Sequence, residues 1–202
     1  MLELIRAAGW PIYFIILASI IALAIIGERF WSLRRALVAP PFLFQEVAQV
    51  VRAKGVSGDF LDRLAQHSVV GRVYAAGLNN LKSSREVMKD AIEDAGQTAV
   101  LELERFLNTL GTIATVTPLL GLFGTVVGMI EIFASQAPGG GNPAQLAQGI
   151  SIALYNTAAG LAVAIPALIF YRYFRKRVDI LIVEMEQQAI KLVEVVHGER
   201  RA

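Results

Sequence analysis

Apolar and charged positions are sharply segregated along this chain. Three blocks, Ala7–Gly27, roughly Phe106–Ile130 and Gly149–Phe170, contain no Lys, Arg, Asp or Glu. Each is close to the ~20 residues that carry an α-helix across ~30 Å of hydrocarbon. A charge at mid-bilayer costs at least about 2.5–3.5 kcal/mol, so three uncharged runs of this length predict three transmembrane helices. Buried helices of a large soluble core are the alternative, and a chain of 202 residues is too small to hide three of them. The first block is also longer than the ~7–15 apolar residues of a signal peptide. It ends in Glu28, Arg29, Phe30 and Trp31 rather than at a small-residue cleavage site.

Between the blocks the pattern turns amphipathic and helical. Ala39–Phe42 (APPF) breaks whatever helix leaves the first span, because proline lacks the N–H and disfavours a helical residue before it. Phe42–Lys54 follows, with Phe42, Val47, Val50 and Val51 as its apolar positions, and 55–58 (GVSG) is a loop. Asp59–Gln66 and Val69–Leu81 are further predicted helices, and Ser83 and Ser84 cap the next one. From Val87 to Arg105 the pattern is helical without proline, which predicts one long helix running directly into the second span. After the third span, Val178, Leu181, Met185, Ala189, Leu192 and Val196 recur at spacings of three and four. That is a helix-bundle seam, and it predicts a helix continuing to about His197. Burying it requires either the upstream helices of the same chain or further copies of the chain.

Charge placement supplies the orientation. Arg29, Arg34 and Arg35 follow the first span, and Arg172, Arg175, Lys176 and Arg177 follow the third, whereas Ser135–Gln148 carries no charge. Basic residues near span ends mark the cytoplasmic side, so the N-terminus is expected outside and the C-terminus inside; Arg6 opposes this mildly and Glu3 offsets it. The expected organisation is an all-α membrane protein. Residues 1–27 form the N-terminus and first span, and 28–105 a cytoplasmic helical region. Residues 106–134 form the second span, 135–148 a periplasmic loop, 149–171 the third span, and 172–202 a cytoplasmic tail.

Composition narrows the chemistry. Apolar residues make up 55% of the chain and the mean hydropathy is +0.53, above the ~45–50% apolar content of soluble domains. There is no cysteine, so thiol nucleophiles, disulfides and thiolate metal sites are excluded. His67 and His197 are far apart and suggest no metal site, and no cofactor is expected. A net charge of +2 gives no reason to expect nucleic acid; membrane lipid is the expected surrounding. No paired acids, nucleophile–base set or phosphate loop appears, so the chain is not expected to be an enzyme.

The second span carries an unusual set of small and hydroxyl residues, TPLLGLFGTVVGMIEIF over Thr117–Phe133. Thr117, Gly121, Gly124, Thr125, Gly128 and Ile132 share one helical face, and on the third span so do Gly149, Ala153, Asn156, Thr157, Gly160 and Ala164. Helices in lipid associate through small residues and interhelical hydrogen bonds, which accounts for the glycines. The threonines have two readings. Each can bond back to a carbonyl one turn earlier, or line a narrow polar path without the cost of a charge.

The pairing of GLFGTV on the second span with NTAAGLAVAIPA on the third resembles the signature of the MotA/TolQ/ExbB proton-channel family, and the likeness covers the whole chain. Its size and three spans resemble the ExbB/TolQ branch. The resemblance implies a homopentamer in a bacterial inner membrane around a dimer of ExbD/TolR-like single-span partners, whose aspartate accepts the proton. It further implies that the proton flow passes work to a TonB/TolA-like periplasm-spanning protein. Matched by motif, Thr125 and Thr157 are pore-lining, Pro118 and Pro166 bend the spans, and Gly121, Gly124, Gly128 and Gly160 belong to helix packing. Many relatives have a glutamate where this chain has Ile152, beside Ser151, so protonation is expected to depend on the partner. Glu131 is the carboxylate nearest a span interior. ExbB-like nutrient import and TolQ-like envelope maintenance are not separated by these residues, although GISIALYNTAAGL leans to the former. A non-conducting membrane scaffold is the alternative. A self-sufficient transporter is disfavoured by the lack of an internal repeat and of intramembrane charge.

Overall fold

The computed structural model of the chain describes residues 9–53, 55–134 and 143–197, with Gln145 described by its backbone only. Helices α1 (Pro11–Ser32), α2 (Arg35–Val38), α3 (Leu43–Arg52), α4 (Gly58–His67) and α5 (Val69–Asn79) come first. Helices α6 (Arg85–Leu103), α7 (Leu107–Ala134) and α8 (Pro143–Val196) complete the order. No strand occurs among the described residues. Three helical stretches are long and apolar enough to cross a membrane, so the protein is an all-α membrane protein with three spanning helices. Of the loop expected at 135–148, the part up to residue 142 lies outside the described residues, and from Pro143 the chain is already helical.

The chain divides into two compact units. The first comprises Met1–Glu28 and Phe106–Tyr173. Within it Ile12, Ile15, Ala22, Ile25 and Ile26 of α1 are buried, whereas Tyr13, Leu17, Ile20 and Leu23 face outward. Such an apolar exterior is unfavourable in water and suits lipid, where the helix satisfies its own backbone groups. Trp10, at the start of α1, packs edge-on against Phe123 of α7 with ring centroids 5.8 Å apart.

The second unit comprises Arg29–Arg105 and Phe174–Ala202. Serine caps start its helices: Ser57 Oγ accepts from Phe60 N at 3.3 Å, Ser68 Oγ from Gly71 N at 3.0 Å and Ser84 Oγ from Val87 N at 3.4 Å. Each satisfies one of the orphan N–H groups of a first turn. Helix α5 packs against α4 and α6. Tyr74, Met88, Leu103, Phe174, Leu181 and Leu192 form the core. Tyr74 is fully buried, and its hydroxyl donates to Gln188 Oε1 at 2.9 Å; burial raises its pKa well above the ordinary tyrosine value. Arg35 pairs with Glu184, and Arg72 with Glu102.

Two further features settle points that spacing leaves open. The seam Val178, Leu181, Met185, Ala189 and Leu192 is buried within the unit itself, so the chain's own helices cover it and it is not an argument for further copies. The helix predicted to run unbroken into the second span is interrupted at 104–106. Phe106 there takes φ 62°, the left-handed region that costs a non-glycine residue about 1–2 kcal/mol. The buried Arg29 donates to Leu103 O at 3.1 Å, and Glu104 pairs with Arg175 at 3.2 Å, so the end of α6 is held by groups remote in sequence.

Candidate functional site

The glycines of α7 and α8 lie where the two helices approach most closely. A Cβ placed on Gly121 would stand 2.7 Å from Asn156 O and 2.9 Å from Thr157 Cα. One on Gly160 would stand 2.7 Å from Thr117 O and 3.2 Å from Gly121 Cα. These are backbone atoms, so no side chain can swing aside. At Gly124 the neighbours are the side-chain atoms of Asn156, from 2.8 Å, and at Gly128 the Ala153 Cβ at 3.2 Å. Further along, a Cβ on Gly149 would meet Ile132 Cδ1 at 2.5 Å. Backbone-to-backbone contact of this kind is how helices cohere in lipid, where hydrophobic drive between them is small.

The threonines flank this contact. Thr157 lies against Gly121, and Thr125 is one turn beyond Gly121 on the same face; both are half-buried. Thr125 Oγ1 donates to Leu122 O at 2.6 Å, and Thr117, which is fully buried, bonds back to Ile113 O at 2.6 Å. A hydroxyl that donates to its own helix keeps its lone pairs for a water or a partner. Helices α7 and α8 run through Pro118 and Pro166 respectively. Each proline removes one backbone hydrogen bond, to the carbonyl of Ala114 and of Ala162.

Spacing alone did not single out Asn156 as a site residue. It is 1% exposed, the most deeply buried polar side chain among the described residues of α8, and its Cβ, Cγ and Nδ2 fill the space that Gly124 leaves. An amide in an otherwise uncharged span was the available signal. Glu131 and Ile152 come together on the wall of one cavity of about 260 Å³, which Asn156 also lines. Among the described residues no cluster of His, Cys, Asp or Glu is placed to hold a metal ion.

A sequence model of the MotA/TolQ/ExbB proton channel family matches residues 65–187, which include all of α7 and the paired faces just described. The chain belongs to this family. It is a family of proton channels and transport subunits rather than of enzymes. The relatives place it in the ExbB/TolQ branch. It is 34% identical over 168 residues to the ExbB-like 1 biopolymer transport protein of Synechocystis, with 81% of this chain and 66% of that protein covered. It is 31% identical to biopolymer transport protein exbB1 of Vibrio cholerae, over 79% of this chain and 71% of the relative. It is likewise 31% identical to the Tol-Pal system protein TolQ of Pseudomonas aeruginosa, over 80% and 68%. The chain spans about two thirds of the length of these relatives, and just under that for the Synechocystis protein.

Proposed function

We propose that this protein is the ring-forming subunit of a proton-driven energy-transducing complex in a bacterial inner membrane. Its N-terminus is outside and its C-terminus inside. Five copies surround a dimer of single-span partners of the ExbD/TolR kind. Protons cross between ring and partner, and each is worth about 2.3 kcal/mol per 100 mV of membrane potential. The partner passes that work to a TonB/TolA-like periplasm-spanning protein that serves an outer-membrane process. Family membership supports the reading of proton transport. The observation that carries the site assignment is that Thr125 and Thr157 flank a backbone contact of α7 and α8 yet remain half-exposed there. Self-association has its own support. With the Val178–Leu192 seam spent inside the chain, Ile180, Val183 and Ile190 form a second stripe on α8 that is about half-exposed.

The test is the double variant Thr125→Val with Thr157→Val. Valine keeps the shape and removes both hydroxyls, so the ring is expected to assemble and co-purify with its partner. Proton flux is expected to fall at least ~10-fold, because a carboxylate in a dry pore does not complete its protonation cycle. Thr→Ser at each site retains flux. Full flux in the double valine variant would falsify the assignment. A non-conducting scaffold is the second reading, favoured by the 2.6 Å bond from Thr125 back to Leu122 O, which satisfies that hydroxyl locally. Absence of any flux in the wild-type complex is its signature.

A further inference from the structure

Helices α7 and α8 touch at Gly128–Ala153 and again at Ile132–Gly149. Beside these contacts, with Gly9 and Pro11 at the start of α1 as a third wall, lies the cavity of about 260 Å³. At about 30 Å³ per water it has room for a small cluster of them. Among the described residues its lining is apolar or glycine except for two side chains, Glu131 from α7 and Asn156 from α8. Glu131 is the sole charged or titratable group among the described residues of the lining. The titratable residues of α1 and α8 closest in sequence to the lining, Tyr13 and Tyr155, are not part of it and are 57% and 44% exposed.

Glu131 is itself exposed, so the cavity is open to its surroundings where this side chain lines it. A carboxylate with water on one side and a cavity on the other is placed to relay a proton between them. The amide of Asn156 both donates and accepts, which suits it to orient water in the cavity. Asn156 in turn packs against Gly124, and the next residue, Thr157, packs against Gly121.

We propose that Glu131 is a proton-accepting residue of the transport path, loading protons into this cavity from the outer side, with Asn156 as the residue that positions the water they leave through. The proposal rests on the proton-transport reading above. A hydronium from the outer phase gives its proton to the Glu131 carboxylate. The resulting carboxylic acid then gives that proton to a cavity water and returns to the carboxylate, so no charge or atom is left over. The ligand is a proton; sodium is the competing cation.

The experiment uses the full chain with its single-span partner, co-purified and reconstituted in liposomes. Flux is read with an internal pH dye under an imposed potential in sodium-free buffer. Glu131→Gln, which keeps the shape, is expected to slow flux at least ~10-fold and to flatten its dependence on external pH. Glu131→Asp retains most of the rate, and native mass spectrometry shows the same assembly for both. Wild-type flux in Glu131→Gln overturns the proposal. If the Thr125→Val, Thr157→Val variant is inactive in the same assay, the transport reading stands without Glu131. A wild-type complex that conducts only when sodium is added overturns the assignment of the proton. A wild-type complex that conducts nothing removes the transport reading, and this proposal with it.

Discussion

Replacing Gly160 by alanine adds one methyl group at one of the two closest backbone approaches of α7 and α8. Its Cβ would lie 2.7 Å from Thr117 O, against an ordinary contact limit near 3.4 Å, so the helices must part locally by roughly 0.7 Å. Overpacking typically costs about 1–3 kcal/mol, and the upper end applies where the obstacle is backbone. Alanine returns up to ~1 kcal/mol of helix propensity. The net expectation is a destabilisation of about 2 kcal/mol, or roughly 4–8 °C in Tm for a chain of this size. Gly96 on α6 is the internal control, since a Cβ there meets nothing within 4 Å. Gly96→Ala therefore gains propensity without cost and should melt at or above the wild type. Thermal unfolding of the detergent-solubilised protein, followed by tryptophan fluorescence, reads both. If Gly160→Ala melts as high as Gly96→Ala, α7 and α8 do not meet at that point and the small-residue account of the interface is wrong. Gly160→Leu extends the series, and loss of assembly is expected.

Arg29→Ala removes the donor to Leu103 O and leaves a buried void at the end of α6. A loss of at least ~1–3 kcal/mol is expected from the orphaned carbonyl alone, read as a lower Tm with faster proteolysis around 104–106. Tyr74→Phe removes the bond to Gln188 and should cost about 1 kcal/mol at neutral pH. Because burial raises the folded-state pKa of Tyr74, the folded chain holds that proton more tightly than the unfolded chain does. Its contribution is intact below pH ~10 and is lost as pH rises above that. Denaturant titrations between pH 8 and pH ~11 should show the wild type losing stability more steeply than Tyr74→Phe at the alkaline end.

The spans could be read directly from the sequence, because an uncharged run of about 20 residues has one cheap environment. The helices between them were legible in part: of the serines expected to cap the helix before Val87, Ser84 does so, whereas the caps at Ser57 and Ser68 emerge only in the structure. The interruption at 104–106 had no local signal. Neither glycine nor proline stands there, Phe106 is a poor left-handed residue, and the group holding Leu103 O comes from 74 positions away. The seam on α8 was visible as a period, but a period does not say which surface covers it. The glycines stood out in the sequence by their spacing, but not the atoms of the opposing helix that each one meets. The cavity beside them was not, because a void is the absence of side chains from three helices and leaves no mark on any one of them.

Close approach has a different genetic consequence at each glycine. At Gly121 and Gly160 the offended atoms belong to the opposing main chain, so no exchange of a neighbouring side chain makes room, and these two positions tolerate no second-site suppressor on the facing helix. At Gly124 the obstacle is the Asn156 side chain from Cβ outward. A larger residue at 124 is compatible with a fold in which position 156 has surrendered its amide, most completely as glycine. Lineages that drift at 124 are therefore expected to drift at 156 with it, trading a buried amide for a packed methyl, while 121 and 160 stay fixed in both.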